Sequence, residues 1–90
     1  MSAKTIPYNA FSVTTSDTNY LNDGTKNVSG SLFIGTGGNV NVLPEGAAET
    51  NDPTAGIVFK NVPSGAYLVG QFKKVFATST TASDIVCQHD

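Results

Sequence analysis

The 90-residue sequence has one cysteine, Cys87, one histidine, His89, and no tryptophan. With a single cysteine, no disulfide can form within the chain. A structural zinc site needs four ligands, and Cys87 and His89 are the only soft ones present, so that route to stability is excluded as well. Charge is scarce too. Asp, Glu, Lys and Arg make up 13% of the residues and the formal net charge is -2, a charged share about half that of ordinary globular domains. Lys60, Lys73 and Lys74 form no basic stripe with interleaved aromatics, so the composition gives no reason to expect nucleic acid as a partner. No apolar run approaches the ~18 residues of a membrane helix. The opening Met1–Tyr8 lacks a secretory leader, so the expected site of synthesis is a cytoplasm, where Cys87 stays a thiol. In that setting Asn27-Val28-Ser29 matches a glycosylation acceptor only by coincidence.

Hydrophobic residues make up 39% of the chain, too many for a disordered segment. The length predicts one domain. A domain of this size buries only about 60% of the surface its unfolded chain exposes, so its own core leaves little net stability. With disulfides and metal removed from the options, oligomerisation or docking onto a larger body is the expected supplement.

Helical periodicity is nearly absent, and turn residues recur every eight to twelve positions, roughly the spacing of a sandwich or barrel. The reading is all-β: a small single-domain β-sandwich or partly open barrel of about six mostly antiparallel strands, arranged as a meander. Residues 1–9 read as an N-terminal arm, 10–87 as the β core and 88–90 as a tail. Strands are expected at Ala10–Thr14, Ser31–Thr36, Asn39–Leu43, Gly56–Lys60, Ala66–Ala77 and Asp84–Cys87. Gly37-Gly38 reads as a hairpin turn between the second and third strands, since glycine takes positive φ without a Cβ clash. Pro63 and Gly65 predict a turn. Between Ala66 and Ala77 the apolar parity changes, with Tyr67, Val69 and Val75 on one register and Leu68 and Phe72 on the other. A bulge at Gly70 or Gln71 reconciles them.

No constellation of residues calls for catalysis. Gly35-Thr36-Gly37-Gly38 opens a strand and not the helix that a phosphate loop requires. His89 lies in the expected tail, where a general base is not held in place, and Cys87 lies in an apolar strand, where a thiol is inert. Asp17 and Asp23 share a polar loop without an EF-hand pattern, so they read as turn caps and not as calcium ligands. The expectation is a protein that is not an enzyme and uses no cofactor or metal. The candidates for contact with a partner are aromatic: Phe33, Phe76, Phe72, Tyr8 and Phe11. Phe33 and Phe76 lie in strands whose other face is already apolar, and a strand apolar on both faces is buried on both. Their second face is either a subunit interface or the interior of a closed small barrel.

Three segments in order resemble a known family. They are Leu32-Phe33-Ile34-Gly35-Thr36-Gly37-Gly38-Asn39-Val40, Val58-Phe59-Lys60-Asn61-Val62-Pro63-Ser64-Gly65, and the run from Lys74 to Val86 containing Ala77-Thr78-Ser79-Thr80-Thr81-Ala82-Ser83-Asp84-Ile85. Together they resemble the small β domain of phage and gene-transfer-agent head-spike base proteins and related capsid decoration (cement) proteins. The resemblance runs from about Ser31 to Val86. It implies a virion structural protein made in the host cytoplasm and carried on the outer surface of a phage head. Its implied partners are the major capsid protein and further copies of itself, as a homotrimer ahead of a pentamer. The loop from Pro44 to Ala55 is longer than the family pattern, and the chain ends just after the last strand. Both departures favour a decoration protein over the base of a head spike or fibre, or a glycan- or host-recognition module.

Overall fold

The computed structural model describes residues 9–89. Six strands form one antiparallel sheet: β1 (Asn9–Ser12), β2 (Gly30–Thr36), β3 (Gly38–Pro44), β4 (Ile57–Val62), β5 (Ala66–Val75) and β6 (Ser83–His89). Among the described residues the only helical element is a 3-10 turn at Pro53–Ala55, capped by the Asp52 side chain, which accepts from the Thr54 amide. The all-β reading and the strand positions hold. The sheet order, however, is β1-β6-β2-β5-β3-β4, in which β3 and β4 are the one pair adjacent both in sequence and in the sheet. The expected meander is therefore replaced by a crossed topology.

The correction centres on Gly37-Gly38. β2 and β3 do not pair; both flank β5, which pairs with β2 through residues 66–72 and with β3 through residues 72–75. The glycines mark a bend in one long run and not a hairpin turn. Close approach explains them: a Cβ on Gly37 would strike the Val62 carbonyl oxygen, and one on Gly38 would lie 2.7 Å from the Thr81 hydroxyl. The Gly37 amide donates to Ser64 Oγ at 2.8 Å, so the bend is pinned beneath the β4–β5 turn. In that turn Gly65 has φ +86°, the left-handed conformation expected of it.

β5 bends where its parity changes. Leu32 pairs with Leu68, but Gly30 pairs with Phe72, so β5 takes four steps while β2 takes two. Gly70, at φ +156°, sits in this bulge. Ser31 Oγ donates to the Gly70 carbonyl at 2.9 Å and accepts from its amide at 3.2 Å. The bend curls the sheet around its inner face. Leu32 faces Cys87 and Ile34 faces Ile85 across the β2–β6 ladder, and Val40, Val42, Phe72 and Val75 complete a core in which no member exceeds 8% exposure. After β1 the chain bridges the gap: the Val13 amide donates to Ile85, Ser16 to Val75 and Leu21 to Lys73. Among the described residues the result is a single curled layer, with β1 and β4 as its end strands. β6 runs through Gln88 and His89, past the expected boundary at Cys87, because Asn9 pairs with His89 and the Phe11 ring meets the imidazole edge-on at 5.7 Å.

Candidate interaction surface

Alternation on β2 and β5 places Leu32 and Ile34 inward and Phe33 outward. Phe33 is opposite Tyr67 in the ladder, and their ring centroids lie 5.0 Å apart. Tyr67 is 55% exposed and Val69, on the same outer face, 86% exposed. The second apolar surface is β4. Its residues from Ile57 to Asn61 are all exposed, Ile57 at 52% and Val58 and Phe59 at 36%. β4 hydrogen-bonds to β3 on one side and to no other described strand on the other.

The aromatic candidates separate by location. Phe33 and Phe11 are half-buried, and Phe33 belongs to the outer patch. Phe76 is 0% and Phe72 7% exposed, both within the chain's own interior, so Phe76 fills the space inside a curled sheet and shows no surface to a partner. Tyr8 lies outside the described residues. The exposed apolar residues are instead Ile57, Val58, Phe59, Tyr67 and Val69. The strand reading of Gly56–Lys60 contained the first three, but nothing in the sequence marks which strand ends a sheet.

One buried group was not read from the sequence at all. Lys74 is 0% exposed. Its ammonium donates to the carbonyls of Asp17 at 3.0 Å and Thr50 at 2.7 Å and to Asn51 Oδ1 at 2.9 Å. It lies 4.1 Å from the Tyr20 ring centroid and 5.2 Å from that of Phe76, within cation–π range. Burial pulls its pKa below the ordinary lysine value, and the charges of Asp17 and Glu49 oppose that shift. Tyr20 reinforces the arrangement, its hydroxyl accepting from the Thr50 amide at 2.8 Å. A single cation thus ties the loop after β1 and the loop before β4 to β5. Its parity with Phe72 and Phe76 was the available indication of an inward side chain.

The remaining polar groups do structural work. Asp23 accepts from the amides of Thr25 and Lys26 and from the Thr25 hydroxyl, and these bonds hold its pKa at about 2. Asp17 accepts from the hydroxyl and amide of Thr78 and Asp52 from those of Thr54. Both carboxyls sit below the ordinary value for that reason. All three are turn or loop caps, as read for Asp17 and Asp23. Cys87 is fully buried, and desolvation pushes its pKa up to about 11, far from a thiolate at neutral pH. His89 is 4% exposed, with Nε2 3.9 Å from Asp23 Oδ2; it is part of β6 and not of a solvated tail. Among the described residues no three His, Cys, Asp or Glu side chains gather as metal ligands, and no helix is long and apolar enough to cross a membrane. An open polar groove of about 490 Å³ runs past Lys26, Ser31, Gln71 and Gln88.

No protein-family model matches the chain, and no curated protein matches it. Among solved structures it is similar to a chain described as the capsid of a native gene-transfer-agent (GTA) particle computed with C5 symmetry. The two are 24% identical with a TM-score of 0.68, over 99% of this chain and 90% of that one. The crossed six-stranded sheet is therefore a fold shared with that GTA capsid chain.

Proposed function

We propose that the protein is a virion structural protein: a decoration, or cement, protein that binds the outer surface of a phage head as a symmetric oligomer, a homotrimer ahead of a pentamer. The observation that carries this reading is the shared fold over 99% of the chain with a capsid chain of a gene-transfer-agent particle. The three sequence segments that resemble capsid-associated β domains lie on that same fold, at the β2–β3 bend, the β4–β5 turn and the β5–β6 connection.

The chemistry agrees. Exposed apolar residues on β4 and on the outer face of β5 suit adhesion, and the proposed role is a non-enzymatic one. A cement protein binds the assembled shell and not its free subunits, so by mass action it stabilises the shell by about 2.7 kcal/mol at a hundredfold excess over Kd.

Purified protein mixed with undecorated capsids is expected to add density at symmetry axes in images of the particles; capsids without added density overturn the reading. The polar groove beside Gln71 and Gln88 favours one second reading, a glycan- or host-recognition module at the base of a spike. Binding on a glycan array without affinity for capsids would select it.

A further inference from the structure

An open strand edge is a chemical specification. Every second residue presents an unpaired amide and carbonyl outward, and the group that satisfies them is another extended strand. Soluble proteins defend such edges with lysine, proline or a bulge. In β4 those defences are confined to the C-terminal end. Lys60 is followed by Asn61 in the left-handed conformation at φ 58°, and the register with β3 shifts between Val40 and Gly38. Ile57, Val58 and Phe59 have no such protection, and all three are exposed.

From this edge, and resting on the reading that the protein works as a symmetric oligomer, we propose that Ile57–Lys60 of β4 pairs with β1 (Asn9–Ser12) of a second copy, continuing the sheet from subunit to subunit.

Three observations choose β1 of the next copy over a second β4. First, the ladder of described strands has two ends, β1 and β4. Joining unlike ends head to tail leaves no edge open once the rotation closes into a ring, whereas a two-fold β4–β4 contact leaves both β1 edges exposed. Second, the lengths and charges match. β1 has four residues and no charge, with Asn9, Ala10 and Ser12 exposed, and it meets the four-residue stretch ending in Lys60. A two-fold, antiparallel β4–β4 contact over the same stretch would instead set each Lys60 opposite an Ile57, an apolar side chain, where β1 offers the polar Asn9. Third, every pairing in the sheet is antiparallel. The two end strands therefore run in opposite senses along the ladder, and a copy generated by rotation about an axis along the strands offers β1 antiparallel to β4.

Disulfide trapping tests the pairing in the intact protein, free and bound to capsids, with the buried Cys87 left in place and the wild type as control. Ser12→Cys and Ile57→Cys oppose each other in the antiparallel register that sets Asn9–Ser12 against Ile57–Lys60, both fall on exposed positions, and circular dichroism confirms that each variant folds. The doubly substituted chain is expected to give a ladder of cross-linked species ending at a closed oligomer, and a mixture of the two single variants to give mixed dimers only. Dimers from Ile57→Cys alone would show a two-fold β4 contact and overturn the proposal, as would the absence of cross-links in both states. Capsid binding is scored separately. Binding without cross-links sinks the edge pairing alone, and cross-links without binding leave it standing while counting against the decoration role.

Discussion

Lys74, Gly37 and Cys87 each do something their residue type does not advertise. The Lys74 ammonium satisfies the carbonyls of Asp17 and Thr50 and the amide oxygen of Asn51 inside an aromatic cage. Lys74→Met keeps the aliphatic packing but orphans those acceptors, each costing about 1–3 kcal/mol when buried without a donor. Relief from burying a charge offsets part of the loss. A net destabilisation of about 2–4 kcal/mol is expected in urea titration, and an unchanged midpoint would show that the cage is decorative. Gly37→Ala places a methyl on the Val62 carbonyl, which is backbone and cannot rotate away. It is expected to destabilise by about 1–3 kcal/mol, against a near-neutral effect if the glycines served a free hairpin turn. Cys87, with its pKa raised to about 11, is expected to ignore a thiol reagent in the native protein and to react fully in denaturant. Rapid native labelling would mean the core is open.

At the scale of the element, strand existence was legible and strand partnership was not. Val40 and Val42 alternate with Asn39 and Asn41, and the parity change in β5 located its bulge at Gly70 because side-chain direction has a period of two residues. What alternation does not encode is which strand lies beside which. The sequence 37–38 is equally compatible with a two-residue hairpin and with a bend whose Cβ positions are occupied by a distant turn, and only the contacts with Val62 and Thr81 distinguish them. The same limit hid the exposed edge: Ile57-Val58-Phe59 reads as a core strand until its place at the end of the sheet is known. Phe33 and Phe76, alike in the sequence, separate in the structure, the first on the outer face beside Tyr67 and the second enclosed. The loops add a pH dependence. The carboxyls of Asp17, Asp23 and Asp52 have folded pKa values below their ordinary 3.8, Asp23 at about 2. The stability they contribute is therefore complete above 3.8 and lost as pH falls through that range toward 2, where the unfolded chain binds protons the folded one does not. Urea midpoints should fall across this interval, and Asp23→Asn should flatten the fall. A midpoint independent of pH there would contradict the assigned caps.

Taken whole, the described residues form a single curled sheet with little charge, whose exposed apolar residues collect on one sheet edge and one sheet face. The elimination argued from composition, that a chain this size relies on a larger assembly, meets a structure with an undefended edge and a fold shared with a gene-transfer-agent capsid chain. Partners at this scale are suggested only through resemblance, since adhesion leaves no motif comparable to a metal or catalytic constellation. The most direct test of the account is a three-dimensional map of undecorated phage capsids incubated with the purified protein. The account predicts additional density of this domain's size on the outer surface, repeated around a symmetry axis. A map identical to that of capsids alone, at protein concentrations that saturate any binding, would contradict it.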